Sequence, residues 1–233
     1  MTADAEHPFS FSLLCEVNSI KHGLSTYVEL SHEVENMLNE KEDQIGKQLT
    51  ATLNSVPAEE HQDVHESYAL DFRAYQSTFR FLQREAMFLT LYNYFEHCLN
   101  DLCDSIGEEI ASRIRLKDIQ GKGVERALLF IKLVPEFSFT NIPSVMEVIR
   151  GANQLRNVIV HAGTVLPEDP NHKSNQFVRS QPNVSGEPGN PVSLQEEFVS
   201  GFAASLAQFF IEFETEMQRY MDRTWRCESD PKL

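Results

Sequence analysis

Apolar residues recur along most of this chain at steps of three and four, the spacing of one helix face. The spacing predicts five helical segments and no strand core. The first runs from Phe11 to Leu53, with Gly23 as a break; its middle, Glu33 to Asp43, is dense in charge and reads as a solvated face. The second runs from Glu59 to Glu109 on a stripe of Phe72, Tyr75, Phe79, Leu82, Phe88, Leu91, Phe95, Leu99, Leu102 and Ile106. A short third helix fits Val124 to Val134, ahead of Pro135. The fourth has end signals on both sides: Ser144 with Glu147 as a capping box, and Gly163 as the C-terminal stop. Leu166 to Val192, rich in Pro, Gly, Asn and Ser, predicts a long loop with a short hairpin around Gln176 to Arg179. A second capping box, Ser193 with Glu196, opens the last helix, whose stripe is Leu194, Phe198, Phe202, Leu206, Phe209, Phe213, Met217 and Tyr220. The expected fold class is therefore all-α, a single domain of residues 1–233.

Composition narrows the function classes. The chain carries a net charge of −15, which argues against broad electrostatic capture of nucleic acid. The charge is uneven, however: Arg113 to His161 holds eight Lys or Arg against four acids, a local field that suits an anionic ligand at one site. No apolar run is long enough for a bilayer, and the acidic start lacks the layout of a signal peptide, so the expected location is cytoplasmic, with no membrane partner. Cys15, Cys98, Cys103 and Cys227 form no CxxC pair and read as free thiols, Cys98 and Cys103 as packing residues. His61 and His65 stand one turn apart without further ligands, so no metal site and no cofactor is expected. The sixteen phenylalanines follow the helical stripes and read as core.

The chemistry concentrates in Leu155-Arg156-Asn157-Val158-Ile159-Val160-His161, closed by Ala162-Gly163. On a helical wheel, Arg150, Asn153, Asn157 and His161 share one polar strip, while Arg156 projects into the apolar side beside Leu155 and Ile159. An arginine there needs a carboxylate, a phosphate or a wet groove. A histidine in the last helical turn also has a purely structural reading, since it favours the helix dipole.

The run Arg156-Asn157-x-x-x-His161 on the penultimate long helix resembles the RNxxxH motif of the HEPN superfamily (higher eukaryotes and prokaryotes nucleotide-binding domains). Phe88 to Glu96 is similar to the long HEPN helix that carries an acidic residue facing the motif. The resemblance covers Glu59 to Arg226, leaving 1–58 as a helical extension and 227–233 as a tail. It implies an antiparallel helical bundle that works as a homodimer, and a metal-independent endoribonuclease in which the RNA 2′-hydroxyl attacks its neighbouring phosphate. In those terms His161 moves the proton, Arg156 clamps the developing phosphorane charge and Asn157 orients the histidine or the phosphate. Glu96, next to Tyr92, is the implied holder of Arg156. A toxin or defence effector with an antitoxin or nucleotidyltransferase partner fits the same resemblance, and the alternative is a non-catalytic binding or regulatory module.

Overall fold

The computed structural model describes Phe9 and residues 11–229, with side chains to Thr224. The fold class is all-α, as the periodicity predicts. The elements are α1 (Phe11–Leu53), a 3₁₀ turn at Ala58–Glu60, α2 (His61–Arg73), a π-helical turn at Ala74–Thr78, α3 (Phe79–Glu109), a 3₁₀ turn at Leu116–Asp118, α4 (Gly123–Leu133), α5 (Pro143–Ala162), α6 (Lys173–Ser180), the two-residue strands β1 (Val184–Ser185) and β2 (Ser193–Leu194), and α7 (Glu196–Ser229). Two compact units result, and α1, α3, α5 and α7 each contribute a segment to both.

Of the described residues, the first unit gathers Phe9 with residues 11–25, Leu91–Gln154 and residues 202–229. Aromatic side chains dominate its core. Phe209 lies 5.6 Å from Phe95, 4.7 Å from Phe139 and 5.4 Å from Phe210, ring centre to ring centre, with Phe213 at 6.1 Å. Each such ring removed from water contributes roughly 2 kcal/mol before entropy is counted. Gly23 does not break α1: a Cβ there would come within 2.1 Å of the Tyr94 hydroxyl, so the glycine admits that ring against an unbroken helix. Two buried carboxylates of α7 fix the segment that leads into α5. Glu216 accepts from the Ser138 backbone N–H (2.8 Å) and Glu212 from the Asn141 amide (3.0 Å).

The second unit comprises Thr26–Thr90 and Leu155–Gly201. Its first segment is a helical hairpin of α1 against α2 and the start of α3. Positions 31, 35, 38, 42 and 45 of α1 face inward at alternating steps of four and three, the spacing of a coiled-coil seam. Leu38 and Ile45 are its apolar members, while Ser31, Glu35 and Glu42 put polar groups where a coiled coil would place leucine. Glu35, 1% exposed, accepts from Arg84 Nε (2.6 Å) and Nη2 (3.0 Å) and from Arg80 Nη1 (2.9 Å). Arg80 reaches on to Asn39 and Glu42. The expected solvated face at Glu33–Asp43 is thus corrected: one of its carboxylates is the buried pivot of a two-arginine clamp. Burial pushes the Glu35 carboxyl up, but Arg84 and Arg80 outweigh that and hold it below the usual carboxylate range.

Other expectations also change. The stripe read through Phe72, Tyr75, Phe79 and Leu82 slips, and Phe79 and Leu82 are exposed. The π turn inserts one residue, so steps of three and four counted across it land on a different face. Arg80 Nε donates to the Tyr75 carbonyl in that turn (3.1 Å). Gln176–Arg179, expected as a hairpin, is the end of α6, which starts where His172 accepts from the Ser174 N–H. Ser193 pairs with Ser185 in the small sheet instead of capping α7, which starts at Glu196. Pro143, whose φ suits a first helical position, opens α5 and places Ser144 inside the first turn.

Candidate functional site

α5 ends on two consecutive left-handed residues, Gly163 (φ +58°) and Thr164 (φ +72°). Glycine takes that conformation freely, whereas a β-branched threonine is strained in it. The reversal is locked by the Thr164 N–H donating to the Val158 carbonyl (3.3 Å) and by Val192 N–H donating to the Thr164 carbonyl (3.0 Å). Behind it, Asn175 donates from Nδ2 to the carbonyls of Pro167 and Asp169, both at 2.7 Å. The last turn of α5 is therefore held by an ordered segment.

That last turn carries the motif. Asn157 and His161 are exposed one turn apart, and the apolar neighbours Leu155, Val158 and Ile159 are buried. His161, as the basic group of the final turn, faces the negative end of the helix dipole. Arg156 is half-buried, as its place on the wheel predicts. Its Nη1 donates to Asn157 Oδ1 (3.2 Å), while its Nε is buried with no hydrogen-bond partner, and it has no ion pair among the described residues. A guanidinium in this state has unspent donors in a planar fork and a desolvation cost that an arriving anion would offset. Val160 and Val165, 46% and 41% exposed, flank the motif with apolar surface.

The supporting residues lie in the first unit. Arg150 is exposed and, with Lys132, Phe137, Phe139 and Met146, lines a cavity of about 720 Å³; Asn153 is half-buried. Tyr92 is a core residue, stacked on Phe202 at 6.4 Å with the rings 9° from parallel. Glu96 points its carboxylate at the first turn of α4: a Cβ on Gly123 would lie 3.2 Å from its Oε2. A carboxylate there complements the free N–H groups and dipole of α4 within that unit. His61 is half-buried and His65 exposed, and among the described residues no group of three or more His, Cys, Asp or Glu could hold a metal. Cys103 is buried and its thiol is pushed up by that burial; Cys98 is half-buried and shifted the same way for the same reason; Cys15 is exposed. The Cys227 side chain lies outside the described residues.

Two polar features carry no sequence signal. One is the Glu35 clamp. The other is Glu85, buried with its Oε1 unpartnered, whose carboxyl desolvation holds above its ordinary value. Helical spacing could have found them only with the partner helix in hand.

The fold and site define an all-α protein with a polar motif on one ordered helix end, and no helix among the described residues is long and apolar enough to cross a membrane. No protein-family model, curated protein or solved structure matches the chain.

Proposed function

We propose that the protein is a metal-independent endoribonuclease of the HEPN type, acting at Arg156, Asn157 and His161. One observation carries the reading: a guanidinium with unspent donors and no carboxylate partner stands beside an exposed amide and an exposed imidazole on a single locked helix end. The three groups suit the demands of RNA transesterification. His161 accepts the proton of the 2′-hydroxyl as its oxygen attacks the adjacent phosphorus. Arg156 neutralises the charge that grows on the phosphorane oxygens, and Asn157, already bonded to Arg156, holds the fork in place. The 5′-oxygen leaves with a proton, most simply from His161 of a second copy. The products are a 2′,3′-cyclic phosphate and a 5′-hydroxyl.

Pairing of two copies at this helix end would cover Val160 and bring two histidines to one cleft. The reaction needs no metal, so cleavage is expected to survive chelator. It should be lost in His161→Ala and Arg156→Ala proteins of unchanged stability, because Arg156 has no buried ion pair to break. Intact RNA after incubation with the wild-type dimer overturns the reading. A second reading, a non-catalytic binding module, is favoured by the acidity of the second unit. It predicts motif variants that change assembly and leave RNA untouched.

A further inference from the structure

Between Thr26 and Thr90 the chain holds twelve carboxylates against five Lys or Arg, a net −7 in little more than a quarter of its length. The far end of this hairpin is thinly packed. α2 buries none of its residues, and Leu70 on it is 75% exposed. A cavity of about 720 Å³ opens between α1 and Phe72 of α2. Gly46, Thr50 and Ala51 line it with small side chains; toward the start of its α1 wall Glu42 is already paired with Arg80 and bonded to Gln76, which leaves Asp43 as the acid and Lys47 as the cation on that wall. A Cβ on Gly46 would meet nothing within 4 Å, so the groove is open to an incoming side chain.

We propose that this end of the hairpin is a docking groove for a cationic amphipathic helix of another protein. Apolar side chains of such a helix would enter over Gly46 against Phe72, and its Lys or Arg residues would meet Asp43 and the exposed Glu59, Glu60, Asp63, Glu66 and Asp71 of this hairpin end, the helix-in-groove mode of recognition. Charge decides between occupants. A second copy would bring a further −7 against the first, and nucleic acid would bring phosphate; both meet repulsion where a basic helix meets attraction. The groove is independent of the motif on α5, so loss of ribonuclease activity would leave this proposal standing.

The test uses the full chain and a synthetic Lys/Leu amphipathic helix, with its Glu/Leu counterpart as control, read by fluorescence anisotropy and amide shifts. Binding of the Lys/Leu peptide alone is expected, with shifts confined to residues 42–54 and 61–73. Gly46→Phe, which fills the groove without changing charge, should weaken binding at least tenfold, and Asp43→Lys should do the same. Asp104→Lys, in the first unit, should leave affinity unchanged. Unchanged affinity in Gly46→Phe, shifts elsewhere on the chain, or equal binding of the acidic peptide would each overturn the proposal.

Discussion

The two units solve the same problem, holding helices together, with opposite chemistry. The first does it mainly with rings: Phe209 touches four aromatic neighbours, while the buried Glu212 and Glu216 hold one connecting segment and pair with Arg219. The second does it with an ionic clamp on Glu35 and leaves Gln83 Oε1, Glu85 Oε1, Arg156 Nε and Asn175 Oδ1 buried without partners, against Asn100 Oδ1 and Arg126 Nε in the first. Apolar packing is tolerant and non-directional, while a buried charge network is stable only when complete. The region poorer in core thus also holds more of the unspent polar groups, and both the motif and the proposed docking groove lie within it.

Substitutions that remove one kind of support at a time can break this contrast. Phe209→Ala should cost about 4 kcal/mol in urea unfolding, the largest effect, because it leaves a cavity among rings that cannot collapse into it. Glu35→Ala leaves the half-buried Arg84 guanidinium without an ion-pair partner and Arg80 with Glu42 alone, and should cost about 3 kcal/mol. Hydrogen exchange should then rise across residues 31–42 and 76–88 while α7 amides in the first unit stay protected. Comparable exchange in both units would refute the division. The clamp also has a pH signature. Glu35 titrates below its unfolded value, so its contribution is full above the ordinary glutamate range and fades as pH falls through the lowered folded value. Glu35→Gln should abolish that acid-side loss.

Glu85 has the opposite sign. Its folded carboxyl holds its proton to higher pH than the unfolded one, so stability falls as pH rises through that interval. Glu85→Gln should therefore stabilise the protein by about 1 kcal/mol at neutral pH and by less at pH 4. The smallest effect is expected from Thr164→Gly. Release of the φ +72° strain outweighs the added chain entropy by about 0.5 kcal/mol, read as a small rise in midpoint.

Much of this was legible in the chain before its fold. The buried run from Phe88 to Ile106, the α7 stripe, the Gly163 stop and the half-buried Arg156 all follow from spacing of three and four, because a helix repeats its faces by geometry alone. What spacing missed has tertiary causes. The π turn shifts the faces after Arg73 without any distinctive residue, and Glu35 becomes a core position only because Arg80 and Arg84 lie opposite it. Both capping boxes lost to a stronger local choice: Pro143 at one helix start, and pairing of Ser193 with Ser185 at the other. Of the candidate site, the motif's helical context was legible. The strained Thr164 lock and the place of Glu96 beside Gly123 were not.

RNA cleavage is the role proposed for the unspent donors of Arg156, beside Asn157 and His161. The most direct measurement incubates purified wild-type and His161→Ala protein with mixed RNAs in excess chelator and maps the ends of any products. Wild type should yield fragments ending in 2′,3′-cyclic phosphate and 5′-hydroxyl, and His161→Ala should cleave at a rate at least about a hundredfold lower at equal thermal stability. Intact RNA in both samples, or equal cleavage by both, would contradict it.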